Sequence, residues 1–192
     1  MPLAKLLTNC AGTSLLTDCS GNSLLKNCPK MEIRYTWTGS PGYFTGPTWN
    51  PGHGADLFTE TTFLGTSLGW YANGNSAGYL TWNAYETTNE GGYEICTVNV
   101  EKSYEDGAWG AATATIDLKA DWWSGNFPPN FPNELAGDSL TITAAYNGVT
   151  RTLIIHPSAI TVLGNFVPGP VSMIVTHVGT ITIDSDGNFT LR

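Results

Sequence analysis

Apolar and polar residues alternate along several short segments from Met31 onward. Four such segments are residues 32–37, 79–85, 93–100 and 113–118, all rich in Thr, Val, Ile, Tyr and Trp. Because successive side chains of a strand point to opposite faces of a sheet, this period of two predicts half-buried β-strands. No segment combines an apolar stripe at i, i+3 and i+4 with capping residues, so no helix is predicted.

Two pairs of apolar segments are joined by turn sequences and are predicted to be β-hairpins. Residues 139–146 and 149–156 flank Asn147-Gly148, a dipeptide that accepts the positive φ angles of a type I′ turn. Residues 179–183 and 189–191 flank Asp186-Gly187 in the same way. Strands that recur between Gly- and Pro-containing turns predict an all-β fold, an antiparallel β-sandwich of roughly eight to ten strands. Among sandwiches, a jelly-roll-like arrangement is preferred.

Two longer segments interrupt the strand pattern and are predicted to be loops. They are residues 39–55 and residues 121–132, and both combine Gly or Pro with aromatic side chains. Long loops of this kind in a compact domain are often functional. Trp49, Trp122 and Trp123 lie in or beside them and are candidate ligand-binding residues, since exposed rings stack on sugars or anchor protein contacts. The alternative is that these loops fold back over the core.

The N-terminal residues contain an internal repeat with a period of nine. The unit Leu-Leu-[Thr/Lys]-[Asn/Asp]-Cys occurs three times within residues 6–28. Its apolar pairs are Leu6, Leu7, Leu15, Leu16, Leu24 and Leu25. Some 25 residues cannot bury enough apolar area to fold alone, so these pairs need a partner surface. The sequence therefore predicts an arm of residues 1–30 followed by a β-sandwich domain of residues 31–192. The arm either docks on its own domain or, as we favour, reaches another copy.

Charge and hydropathy exclude several classes of partner. Charged residues make up 12% of the chain, about half the usual share, and the net charge is −8. Nucleic acid and anionic membrane surfaces call for clusters of Lys and Arg, so neither is expected as a partner. No apolar run approaches the roughly 20 residues that insertion into a membrane needs, and no Sec signal peptide is evident.

The four cysteines are Cys10, Cys19, Cys28 and Cys96. The spacing of nine residues matches no zinc signature, which places cysteines two to four residues apart. Three interpretations stay open: disulfides within or between chains, buried free thiols, and metal ligation. Disulfides that join copies of the arm are favoured.

Catalytic motifs are not evident. The sequence has no nucleophile elbow, no HExxH and no phosphate-binding loop, and its acids form no distinctive pair, so an enzyme is not expected. Asp184, Asp186 and Asn188 surround Gly187 and resemble the start of a calcium loop. A plain Asp-Gly hairpin turn explains the same residues and is preferred. Calcium is the one candidate cofactor that the sequence suggests.

These features favour a self-assembling structural protein, a subunit of an extracellular filament or of a virion-like particle. Its main partner would be other copies of itself, joined through the arm. The alternative is a carbohydrate-binding module or lectin-like sandwich that uses the loop aromatics, with glycans as partners.

Overall fold

The structure, a computed structural model, describes residues 30–38, 43–45, 48–50, 56–70, 78–85, 91–123, 139–163 and 176–192. Thirteen strands lie in these ranges. They are β1 (Met31–Thr38), β2 (Tyr43–Thr45), β3 (Thr48–Asn50), β4 (Asp56–Phe63), β5 (Thr66–Gly69), β6 (Leu80–Tyr85), β7 (Gly91–Val98), β8 (Thr113–Trp123), β9 (Leu140–Tyr146), β10 (Val149–Ile155), β11 (Val162–Leu163), β12 (His177–Asp184) and β13 (Phe189–Leu191). The predicted arm lies outside the described residues except for Lys30, and of the two predicted loops only residues 43–45, 48–50 and 121–123 are described.

Ten of the strands form two antiparallel five-stranded sheets. Sheet 1 has the order β10-β9-β1-β7-β6, and sheet 2 has the order β13-β12-β8-β4-β5. The short strand β11 adds to sheet 2 by pairing parallel with the end of β8, and β2 pairs with β3. The prediction of an all-β, sandwich-type fold is thereby confirmed.

The core lies between the two sheets. Alternate residues of β1 point into it, and Met31, Ile33 and Tyr35 are fully buried. Across the core, β8 contributes its even-numbered residues, including Ile116 and Leu118. Each such side chain stabilises the fold by about 1.5–3 kcal/mol relative to leaving it in water. Two strands pack this way only when their apolar residues recur with period two, which is why the pattern predicted them.

Both predicted hairpins are confirmed. Strands β9 and β10 pair from Tyr146↔Val149 to Leu140↔Ile155, and Asn147 and Gly148 have φ angles of 50° and 76°, as a type I′ turn requires. Strands β12 and β13 pair around the second turn, with Ile183 opposite Phe189. The Asn-Gly dipeptide therefore sets the register of the outermost pair of strands in sheet 1.

Three local predictions are wrong. A six-residue helix, α1 (Val100–Glu105), follows β7, although no helix was predicted; the Asn99 side chain caps it by accepting from Lys102 N at 3.4 Å. Strand β8 runs through Trp123, so the predicted 121–132 loop does not begin at residue 121. Strands β2 and β3 lie inside the predicted 39–55 loop.

Candidate functional site

Strand β10 is the most exposed edge of the described sandwich. It pairs with β9 on one side and ends sheet 1 on the other. Ile154 is 66% exposed and Val149 is 44% exposed, and they are two of the four large apolar residues that the described surface exposes most. The strand has seven residues, no Pro and one charge, Arg151. Natural edge strands are usually short, charged or interrupted, because a regular edge invites another strand to pair with it.

The hairpin register determines which main-chain groups face the open side of β10. Val149 and Tyr146 close the two-residue turn and so form a hydrogen-bonded pair. Because hydrogen-bonded and non-hydrogen-bonded pairs alternate, Thr150, Thr152 and Ile154 turn their N–H and C=O groups away from β9. The open edge therefore presents three donors and three acceptors, in the spacing that a further antiparallel strand needs.

The inner face of β10 is anchored to the rest of the sandwich. The Leu153 side chain lies against Gly179 of β12, where an added Cβ would come within 2.9 Å of Leu153 Cδ2. Leu153 and Ile155 are partly buried and pack on the core. This contact anchors β10 against sheet 2, where β13 also lies close to it, and among the described residues no strand is hydrogen-bonded to its outer edge.

The other sheet edges are less suited to pairing. Strand β5 has four residues and β13 has three. Strand β6 has six residues, but its outward side chains Thr81 and Asn83 are polar and exposed. Within the described residues, β10 is therefore the edge that combines length with exposed apolar side chains.

A polar cluster joins the two sheets inside the core. The Tyr35 hydroxyl shares a hydrogen bond of 2.9 Å with Thr61 Oγ1 and donates to the Glu60 carbonyl at 3.4 Å. The Glu94 carboxylate accepts from the Thr59 hydroxyl and from the Trp70 indole N–H. Tyr35, Thr61, Thr59 and Glu94 are all fully buried. Burial raises the pKa of Tyr35 well above its ordinary value. A sealed cluster of this kind, with its polar groups paired to each other, acts as a cross-link between sheets.

Two further buried acids lie on the other face of sheet 2, and each has a partner. Glu60 is 1% exposed and its Oε1 accepts from Lys119 Nζ at 3.1 Å. Asp121 is fully buried and accepts from the main-chain N–H of Thr176 at 3.1 Å and from the Thr176 hydroxyl. Buried carboxylates persist only when such bonds replace their hydration. Both acids therefore serve packing around β4 and β8.

A surface groove of about 250 Å³ lies beside Trp109, and we call it the Trp109 groove. Its lining includes Trp109, Thr62, Thr113, Thr115, Asp117 and Leu64. The three β8 residues alternate along the strand and stand together on the outer face of sheet 2. The Trp109 indole N–H donates to Ser103 Oγ at 2.9 Å, which orients the ring. An aromatic ring beside hydroxyls and a carboxylate offers the contacts that a sugar uses.

The aromatic residues proposed as ligand contacts are not brought together. Trp122 is fully buried in β8 and donates its indole N–H to the Pro157 carbonyl at 3.2 Å. The interpretation of Trp122 as an exposed sugar-stacking residue is therefore wrong, because strand alternation turns it into the core. Trp49 and Trp123 lie on β3 and β8, and their side chains are outside the described part of the structure.

Of the four cysteines and the six arm leucines, the structure describes one residue, Cys96. Cys96 lies on β7, fully buried and free, and its burial raises the pKa of the thiol to about 12. A disulfide to the arm through Cys96 would require the core to open. The six arm leucines and Cys10, Cys19 and Cys28 lie outside the described residues.

The candidate calcium residues form a hairpin turn. Asp184 Oδ1 accepts from the main-chain N–H groups of Asp186 and Asn188 at 3.0 and 2.9 Å, and the Asn188 side-chain amide donates to Asp184 Oδ2 at 3.1 Å. The Asn188 side-chain and backbone hydrogen bonds hold the pKa of Asp184 below its ordinary value. The Asp184 carboxylate thus already has partners in the turn. Across the described residues, no group of three or more His, Cys, Asp or Glu side chains is placed to hold a metal ion.

Two histidines have local roles at strand ends. His156 Nδ1 accepts from Ser158 N at 3.3 Å and caps the 3-10 helix Pro157–Ala159. His177 Nε2 shares a hydrogen bond of 2.8 Å with Thr180 Oγ1. His53 lies outside the described residues.

Comparison with known proteins does not place the chain in a family. No protein family, no curated protein and no solved structure matches its sequence or its fold. In the part of the chain that the structure describes, no helix is long and apolar enough to cross a membrane.

Sequence reasoning missed both the β10 edge and the Trp109 groove. The hairpin of β9 and β10 was visible in the sequence, but its position at the edge of sheet 1 depends on β1 pairing with β9 on the other side. The groove depends on Trp109, Gly110 and Ala111 lying beside Thr62 and Leu64 of the β4–β5 hairpin. Neither arrangement leaves a local signal in the sequence.

Proposed function

We propose that this chain is a self-assembling structural protein, a subunit of an extracellular filament or a virion-like particle, and not an enzyme. The observation that carries the proposal is the open edge of β10, with its outward main-chain groups and exposed Ile154. Strand addition to such an edge supplies main-chain hydrogen bonds for affinity and side-chain pockets for specificity. A single copy has no need to keep a regular apolar edge, whereas an assembling subunit does.

The repeat arm of residues 1–30 supports the same function. Its Leu pairs need a partner surface, and its units contain strand-forming residues. In the proposed particle, a jelly-roll-like sandwich carries the arm, and the arm joins neighbouring copies. With Cys96 enclosed in the core, Cys10, Cys19 and Cys28 are the thiols that can staple copies together. The partner is the chain itself, without nucleic acid or membrane insertion.

Electron microscopy of the full-length chain and of a chain without residues 1–30 tests this function. We expect ordered filaments, rings or shells from the first. The second keeps the β-rich circular dichroism spectrum and does not assemble. Unchanged assembly after the deletion would show that the arm does not join the subunits.

Gel electrophoresis tests the proposed interchain disulfides separately. The protein is alkylated at harvest and run with and without reductant. Interchain disulfides give oligomer bands that reductant removes. Monomer in both lanes would exclude interchain disulfides but would leave strand addition as the means of assembly.

A second candidate function is carbohydrate binding, and the Trp109 groove favours it. A sugar ring there would lie beside the indole of Trp109 and exchange hydrogen bonds with Asp117 and the β8 threonines. We expect Asp117→Asn to abolish binding found on a glycan array while the melting temperature stays nearly constant. Glu32→Gln, an exposed acid on the outer face of sheet 1, is the control and retains binding. An array without any bound glycan contradicts this second function.

A further inference from the structure

The proposed function leaves one question about the β10 edge: which strand fills it. We propose that the second unit of the arm, Leu15–Ser23 of another copy, adds antiparallel to β10. This inference rests on the proposed self-assembly and identifies the two surfaces that meet. Ile154 is 66% exposed, and among the described residues no strand pairs with the outer edge of β10.

The length of the arm unit matches the length of the edge. Strand β10 has seven residues and spans about 23 Å. Each nine-residue unit offers a run of similar length that ends at or just before its Gly or Pro. The first two units contain no Pro, whereas the third has Pro29, which would remove a donor from the ladder.

The Leu pair fits the apolar residues of β10 on both faces. Ile154 points to the outer face of sheet 1 and Leu153 to the inner face. Two consecutive leucines in an antiparallel strand also point to opposite faces. Leu15 opposite Ile154 and Leu16 opposite Leu153 would therefore bury an apolar pair on each side of the added strand.

The same register explains why the second unit is preferred. It places Asp18 opposite Arg151, the one charged residue of β10. Asp18 is the only acidic residue among residues 1–30, since the first and third units have Asn9 and Asn27 at this position. Opposite charges directly across a strand pair stabilise it, and like charges destabilise it. Ser20 then lies opposite Val149, and Gly21 passes beyond the end of the edge.

The decisive variant is Thr152→Pro in the full-length chain. Thr152 turns its N–H toward the open side, so the proline removes a donor from the new ladder and leaves the β9–β10 ladder intact. Thr152→Ala keeps the N–H and is the matched control. Light scattering with reductant present, which prevents arm disulfides, measures the concentration at half assembly. We expect Thr152→Pro to raise it by at least about tenfold and Thr152→Ala to leave it within about twofold.

A mixing experiment shows that the strand comes from another copy. Thr152→Pro retains its arm and loses its edge, whereas the full-length double variant Leu15→Ser, Leu16→Ser retains its edge and has a weakened arm. At the concentration where the wild type is half assembled, we expect each variant alone to be mainly monomeric and the mixture to form a one-to-one heterodimer. A mixture that stays monomeric would overturn pairing between copies.

A charge exchange tests the register and does not depend on proline. Arg151→Asp places two acids opposite each other and weakens assembly, and adding Asp18→Arg in the same chain restores it. A loss of fold would not be restored by a change in the arm. Failure of this rescue, when Arg151→Asp alone weakens assembly, overturns the assigned register.

The remaining outcomes separate the inference from the function on which it rests. If the Leu15, Leu16 variant fails to assemble while Thr152→Pro assembles like the wild type, the arm joins copies at another surface and the inference is wrong. If both variants assemble like the wild type, the second arm unit and the β10 edge do not join copies and the inference is wrong, whereas self-assembly itself stands. A wild-type chain that is monomeric at every concentration overturns both.

Discussion

The hydrogen bond between Tyr35 and Thr61 gives a direct test of how the two sheets face each other. Tyr35 lies on β1 of sheet 1 and Thr61 on β4 of sheet 2, and their hydroxyl groups are 2.9 Å apart. Both side chains are fully buried. The test is a double-mutant cycle with Tyr35→Phe, Thr61→Val and the combined variant, which measures the coupling between the two hydroxyl groups.

The size of the effect follows from burial. Tyr35→Phe removes one hydroxyl and leaves its partner short of a hydrogen bond, which costs about 1–3 kcal/mol in a buried site. The Thr61 hydroxyl also contacts the Cys96 thiol, so we expect the lower half of that range. The combined variant leaves neither group without its partner, and the coupling free energy is therefore about 1 kcal/mol. For a chain of this length, a loss of 1 kcal/mol lowers the melting temperature by about 2–4 °C.

Urea unfolding followed by tryptophan fluorescence measures these free energies. Tyr79→Phe is the matched control, because the Tyr79 hydroxyl donates to Asp106 at the same distance, 2.9 Å, but in an exposed site. Water replaces that bond, so the control leaves stability nearly unchanged. This packing of the sheets would be refuted if the losses of unfolding free energy in the two single variants simply added up in the combined variant. It would also be refuted if Tyr35→Phe and Tyr79→Phe lowered that free energy equally.

Three further predictions concern other buried or turn residues. Glu94→Ala leaves the Thr59 hydroxyl and the Trp70 indole without their acceptor. We expect the free energy of unfolding in urea to fall by about 2–5 kcal/mol and the tryptophan emission to change. Unchanged values of both would contradict the buried network. Burial raises the pKa of Cys96 from 9.0 to about 12, so the unfolded chain loses this proton first and the free energy of unfolding falls as pH rises from about 9 toward about 12. Cys96→Ala should show a shallower fall, and the native Cys96 peptide should stay unalkylated at pH 8 by mass spectrometry; rapid native labelling would contradict its burial. Because the Asp184 carboxylate is already bonded within the turn, we expect millimolar calcium to leave the melting temperature unchanged, and a rise that Asp184→Asn abolishes would establish a calcium site.

Local patterns predicted much of the fold. The alternation in residues 32–37 and 113–118 is confirmed in β1 and β8, because each strand has one face in the core and one toward the surface. Asn147-Gly148 predicted its hairpin because few dipeptides accept two positive φ angles. Strand β4 was not predicted, because Thr59, Glu60 and Thr61 are polar and yet fully or almost fully buried. Their burial depends on partners from β1, β7 and β8 that no local window contains.

The sequence by itself determined that the chain is built of strands, where its two hairpins turn, and that a nine-residue repeat precedes the strands. Each of these depends on residues that are neighbours along the chain. Tertiary structure alone decided that Trp122 is buried, that Glu94 lies between the sheets, and that β10 is an open edge. The physical reason is that burial and edge position depend on which distant strands pair, and the partners of β1 in β7 and β9 lie between 53 and 113 residues away along the chain.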